Sequence, residues 1–122
     1  MTKLVKLDTH YWPLGGYGHW CPGCDNGHEI NVDTPNHSGA KWAFDGNAQS
    51  PTFTPSVNMR WGRFADPSYV PEEGHDPSGV CHYNITAGKI IFHGDSTHKL
   101  KGQTADLPDI PEGVFISSER LV

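Results

Sequence analysis

Hydrophobic and polar positions alternate along this chain with a period of two, in short runs broken by turn residues. That is the signature of half-buried β-strands. Leu4, Val5 and Leu7 predict a short first strand. Trp12 to Gly18 is a glycine-rich turn, and His19-Trp20-Cys21 leads into the turn dipeptide Pro22-Gly23. Glu29-Ile30-Asn31-Val32 and Lys41-Trp42-Ala43-Phe44 alternate again, the second closed by the turn signal Asp45-Gly46. Residues before proline avoid the helical region, so Pro51-Thr52-Phe53-Thr54-Pro55 is expected to be extended. Ser56 to Trp61 reads as a further strand.

The clearest element is a hairpin. Val80 to Thr86 and Lys89 to Gly94 flank Ala87-Gly88. A two-residue turn sets Thr86 opposite Lys89, Ile85 opposite Ile90, Asn84 opposite Ile91 and Tyr83 opposite Phe92. Continued outward, His82 faces His93 and Cys81 faces Gly94. One face then carries Cys81, Tyr83, Ile85, Ile90 and Phe92, and the other His82, Asn84, Ile91 and His93.

No window sustains a 3.6-residue period. The best helical stretch is short, with Asp95 as a cap and Gly102 as a stop. Residues 64–79, with Pro67, Pro71 and Pro77, read as a loop. Residues 103–122 form a proline-rich tail in which Gly113 to Ser117 is a candidate edge strand. The fold class is mainly β: a single domain over 1–122, built as a small antiparallel sheet, sandwich or open barrel with little helix.

Composition adds a problem of stability. Only 35% of the 122 residues are hydrophobic, while Gly and Pro number 14 and 10; the mean hydropathy is -0.55. A core this lean points to another source of cohesion, and eight His and three Cys are available to supply it. The net charge of -5 opposes a dedicated nucleic-acid binder, which needs a basic stripe. No apolar run approaches the ~20 residues of a membrane span, and the first residues lack a secretory signal pattern. The expected location is an intracellular, reducing compartment. In a reducing compartment, Cys near His reads as metal ligand or nucleophile.

Cys21-Pro22-Gly23-Cys24 is a metal knuckle: the turn directs both sulfurs to one point, and mixed Cys and His donors favour Zn2+. The Asp25-Asn26-Gly27 that follows opposes the helix a redox motif requires. The first-choice ligand set is Cys21, Cys24, Cys81 and His98, with His28 and His82 as alternates. Cys81 falls on the apolar hairpin face, where it is either a buried small hydrophobe or a thiolate needing a cation. His82 and His93, facing each other, form with Asp95 a second polar cluster, and Asp95 can also orient a ligating His. Glu29, beside His28, is a candidate general base. Glu29, His82, His93 and Asp95 are thus the catalytic candidates. His10, His37 and His75 sit in loops.

Three groups of residues carry a resemblance: His19-Trp20-Cys21-Pro22-Gly23-Cys24 with His28; Trp42 to Gly46 with Pro51 to Ser56; and Cys81-His82 through Gly94-Asp95-Ser96-Thr97-His98 to Gly102. Over about residues 17 to 109 the chain resembles a family of small uncharacterised proteins of tailed phages, prophages and bacteria. Some members bear the label ammonia monooxygenase, which a chain without a membrane span does not support. The resemblance implies a phage or prophage origin and a polar signature of Cys21, Cys24, His28, Cys81, His82, Asp95 and His98, and carries no established activity.

Three functions follow as expectations. The first is a zinc-stabilised module that binds a host or phage protein, with Trp12, Tyr17, Trp61 and Tyr69 as candidate anchors. The second is a zinc-dependent hydrolase, favoured by an open metal position and opposed by four protein ligands. The third is a virion or assembly component.

Overall fold

The computed structural model describes residues 2–121. The alternating runs each find a strand partner, giving two antiparallel sheets. The first has the order β3 (Asn26–Asn31), β2 (Gly16–Cys21), β1 (Leu4–Lys6), β9 (Glu119–Leu121). The second has the order β4 (Ala43–Phe44), β5 (Phe53–Trp61), β6 (Gly79–Thr86), β7 (Lys89–Phe92), β8 (Thr104–Asp106). The described residues contain no α-helix, only a 3-10 turn at Gly62–Phe64.

The hairpin register is the one the turn dictates: Thr86 pairs Lys89, Ile85 pairs Ile90, Asn84 pairs Ile91 and Tyr83 pairs Phe92. Ala87 and Gly88 both take positive φ, 49° and 78°, the backbone a two-residue hairpin turn requires. Ile85, Ile90, Phe92, Tyr83 and Cys81 are buried, and join Leu4, Cys21 and Ile30 of the first sheet and Phe53 and Val57 of β5 in one core. The sandwich is therefore closed by the apolar face of each sheet, with the polar face of β6 left outside.

Three sequence expectations are corrected. Residues 95–102 form turns rather than a helix, because the Asp95 side chain bonds to His82 instead of capping its own backbone. Gly113 to Ser117 is not a strand. Phe115 of that segment lies against the outer side of the first sheet, and β9 forms only from Glu119 onward. Gly18 and Gly27 admit the ring: a Cβ at either would stand 2.8 or 2.9 Å from it. Val5, Leu7 and Ile110 form a second small core there with Trp12, Trp20, Val114 and Phe115. Finally, the strand that holds Glu29 begins at Asn26, three residues before the alternating run from Glu29 predicts.

β5 departs from simple pairing. Phe53 pairs Ile85 and Val57 pairs Tyr83, so Thr54, Pro55 and Ser56 together oppose Asn84. Such a bulge re-aims a side chain, and proline, which has no N–H for a ladder, is tolerated within it. The Thr54–Pro55 peptide is cis.

Candidate metal centre and candidate active site

The knuckle forms because β2 ends at Cys21 and β3 starts at Asn26, leaving a tight turn between them. Cys24 donates its main-chain N–H to Cys21 Sγ at 3.4 Å. Cys81 reaches the same point from β6: its Sγ is 3.9 Å from Cys21 Sγ and 3.5 Å from His98 Nε2. The donor atoms of Cys21, Cys24, Cys81 and His98 all lie within 4.8 Å of one another. A tetrahedron of ~2.3 Å metal–sulfur bonds has edges of ~3.8 Å, so the four donors are spaced to hold one metal ion.

The electrostatics agree. Hydrogen bonds from Cys24 and Cys81 hold the Cys21 thiol far below its ordinary value. Their own hydrogen bonds to Cys21 push Cys24 and Cys81 up. Three thiols in contact resist ionising together, and a divalent cation removes that conflict.

Gly23 makes the centre possible. A Cβ there would lie 2.3 to 2.6 Å from His98 ring atoms, so any side chain displaces a ligand. Gly23→Ala is expected to weaken metal binding on the order of 10–100-fold, the scale of losing a ligand's support. Competition with a chromogenic chelator measures this, and an unchanged affinity would refute the packing argument.

His28, the first alternate ligand, stands next to this cluster without joining it. Its Nδ1 is 3.2 Å from the Tyr83 hydroxyl, which is 2.7 Å from His19 Nε2. His19 and His28 face each other across β2 and β3. Both are buried, and burial lowers the pKa of each, His19 to about 4. His19 Nδ1 has no hydrogen-bond partner. The trio therefore packs as neutral rings around one hydroxyl, beneath the metal centre.

His82, the other alternate, points away from the metal because successive residues of a strand face opposite sides. Cys81 enters the core, and His82 enters the outer face of the second sheet. There its Nδ1–H donates to the Asp95 carboxylate, 3.0 Å from Oδ1 and 3.1 Å from Oδ2. A carboxylate only accepts, which fixes the proton on Nδ1 and leaves Nε2 as a base. The Ser56 hydroxyl donates to that Nε2 at 3.2 Å. Partial desolvation raises the Asp95 pKa, but the hydrogen bond from His82, together with a main-chain hydrogen bond and the Arg60 guanidinium 3.9 Å from Oδ2, outweighs it, so the net shift is downward. Ser56, His82 and Asp95 thus form one hydrogen-bonded line of hydroxyl, imidazole and carboxylate, the arrangement of a nucleophile, base and orienting group.

Segment 95–98 serves both sites. Asp95 holds the His82 ring. Buried Ser96 accepts the His82 main-chain N–H and donates to its carbonyl, both at 3.1 Å. Thr97 bonds in the same way to Val80, and His98 joins Cys81 at the metal centre. Four consecutive residues are laced to Val80, Cys81 and His82, so the two sites are built back to back on one stretch of β6.

His93 stacks on His82, with ring centroids 4.0 Å apart, and its Nε2 is 2.7 Å from Asn84 Oδ1. It flanks the Ser56–His82–Asp95 line without being part of it. Glu29 is exposed on β3 and bonds to none of the four metal ligands; burial of its carboxyl nonetheless raises its pKa. Ser56 was the residue absent from the sequence-derived candidates. Its only signal was a serine ending the Pro-Thr-Phe-Thr-Pro run, on the polar side of an alternating strand.

Residues 3–93 match the profile of the BubE family, the bacterial ubiquitination-like system serine protease. The chain belongs to the BubE family. No curated protein and no solved structure matches it significantly. The BubE match covers the knuckle, Ser56, Cys81 and His82 and ends one residue before Gly94, so Asp95 and His98 follow it. Among the described residues no helix is long and apolar enough to cross a membrane.

Proposed function

We propose that this BubE-family chain is a serine hydrolase that cleaves acyl bonds, peptide or isopeptide, made in a ubiquitination-like system. The observation that carries this reading is the Ser56–His82–Asp95 line, with hydrogen bonds of 3.2 and 3.0 Å. Ser56 Oγ attacks the substrate carbonyl carbon while His82 Nε2 takes its proton. The C–N bond breaks as His82 returns that proton to the leaving nitrogen, and an acyl ester stays on Ser56. Water then attacks the ester, giving its proton to His82, which hands it back to Ser56. Asp95 keeps the imidazole in the reactive tautomer throughout.

The metal centre has a separate task. Three thiolates and an imidazole fill a tetrahedral shell, leaving no open position for water, and this supports a structural zinc. It opposes the zinc-hydrolase alternative. The protein-binding role expected from the sequence rests on the small acidic chain, its closed ligand set and its aromatic side chains, and the phage origin rests on the resemblance alone.

An alkyl fluorophosphonate tests the proposal. It is expected to phosphonylate one residue, Ser56, as located by peptide mass mapping, with no dependence on catalytic metal chemistry. Labelling elsewhere, or none, would overturn the assignment.

A further inference from the structure

We infer that the substrate binds as an extended chain added to the open edge of β5, pairing through the main chain of Asn58 and Arg60. The inference rests on the serine-hydrolase reading and adds to it how the polypeptide is presented to Ser56.

The argument starts from which way the main chain faces. Val80 directs its carbonyl to Thr97 and His82 directs its carbonyl to His93, both on the side of β6 away from β5. Val80 is paired with Arg60, and His82 with Asn58. In an antiparallel ladder the partners of such residues also turn their N–H and C=O outward. Asn58 and Arg60 therefore point their main-chain groups away from β6. On that side β4 covers only Phe53 and Thr54, and neither residue's main chain finds another partner among the described residues. The next outward group, the Ser56 carbonyl, is already taken by Trp42 Nε1 at 3.2 Å. The free edge thus begins immediately beyond the nucleophile.

A bare edge next to a strand of its own sheet is a pairing template, and this one is not closed off. β3 is the end strand of the first sheet, and a cleft runs between it and β5. One part, about 210 Å³, is bounded by Ile30, Asn31, Trp42, Val57 and Met59. It continues into a recess of about 480 Å³ beside Glu29, Met59 and Trp61. Side chains of an added strand alternate in direction, so every second substrate residue would enter this cleft. His82 lies across β5 from the edge. Ser56 Oγ then stands between its base and the incoming carbonyl, the order that nucleophilic attack requires.

Because the recognition is through the backbone, side-chain identity can be randomised in the test. Peptidyl fluorophosphonates with random side chains are compared with the same mixtures N-methylated at one or the other alternate set of amides. Labelling rates of Ser56 are each divided by the rate with the alkyl fluorophosphonate. One methylated set is expected to label about tenfold more slowly than the unmethylated mixture, the scale of two lost main-chain hydrogen bonds, and the other set to label like the unmethylated one. In Asn58→Pro, which removes the edge N–H at a position that tolerates proline, the difference between the two sets is expected to vanish. Equal rates for both sets in the wild-type protein, or a difference that survives Asn58→Pro, would overturn strand addition. Failure of the alkyl probe to label Ser56 would instead overturn the hydrolase reading itself.

Discussion

Ser56→Ala is expected to lower kcat on the order of 10⁶-fold, the loss that follows removal of the nucleophile from such a hydrogen-bonded set. Nothing else in the site can replace it. Ser96, the other hydroxyl near His82, has its oxygen bonded to the His82 main-chain N–H and carbonyl, and it is buried. Asp95→Asn is expected to cost about 10⁴-fold, because an amide in place of the carboxylate favours the tautomer that cannot accept the Ser56 proton. The folding cost of Ser56→Ala is small by comparison. The side chain is half-buried and makes one hydrogen bond, worth about 1 kcal/mol. Hydrolysis of a nitrophenyl ester, followed beside the thermal melt, separates the two effects. Turnover that persists in Ser56→Ala at the wild-type rate would remove the serine from the mechanism.

Metal removal is expected to unfold the protein. A structural zinc site contributes apparent binding energy of ~10–16 kcal/mol to folding, against a total stability of ~5–15 kcal/mol for a typical domain. Here an ion held by the four donors would join the knuckle between β2 and β3 to Cys81 of β6 and to His98. It would thereby clamp the two sheets together across a sparse core. Cys81→Ser should give the same result as a strong chelator: loss of the cooperative melt and of the β-sheet circular dichroism. Labelling of Ser56 should disappear with it, since His82 follows Cys81 directly and segment 95–98 is held to both. A melting temperature that stays within a few degrees of its starting value under chelation would refute the structural role. Elemental analysis of protein purified without added metal identifies the ion.

The two sites were legible to different degrees, and the reason is chemical. Thiolates two residues apart around Pro-Gly have few uses besides metal, so Cys21 and Cys24 stand out in the sequence. Cys81 followed from its place on the apolar hairpin face, and His98 from its place just beyond. His82 and Asp95 were readable as a polar pair, but not as a base and its orienting carboxylate. A serine carries no signal of its own; it becomes a nucleophile only by what stands next to its hydroxyl. Ser56 and His82 are separated by 26 positions, and they meet through a bulge that sets three residues of β5 against one of β6. No periodicity announces that.

Local rules thus determined the strands, the hairpin register from its two-residue turn, the knuckle, and which face of β6 is apolar. They misjudged residues 95–102 and 113–117, where capping and alternation patterns were overridden by long-range contacts to His82 and to the outer side of the first sheet. The tertiary structure decided which sulfur and imidazole meet the knuckle, which hydroxyl meets His82, and which edge of β5 stays open. Those depend on pairing between distant segments, and pairing is governed by burial and hydrogen bonding summed over the whole sheet rather than by any short run of residues.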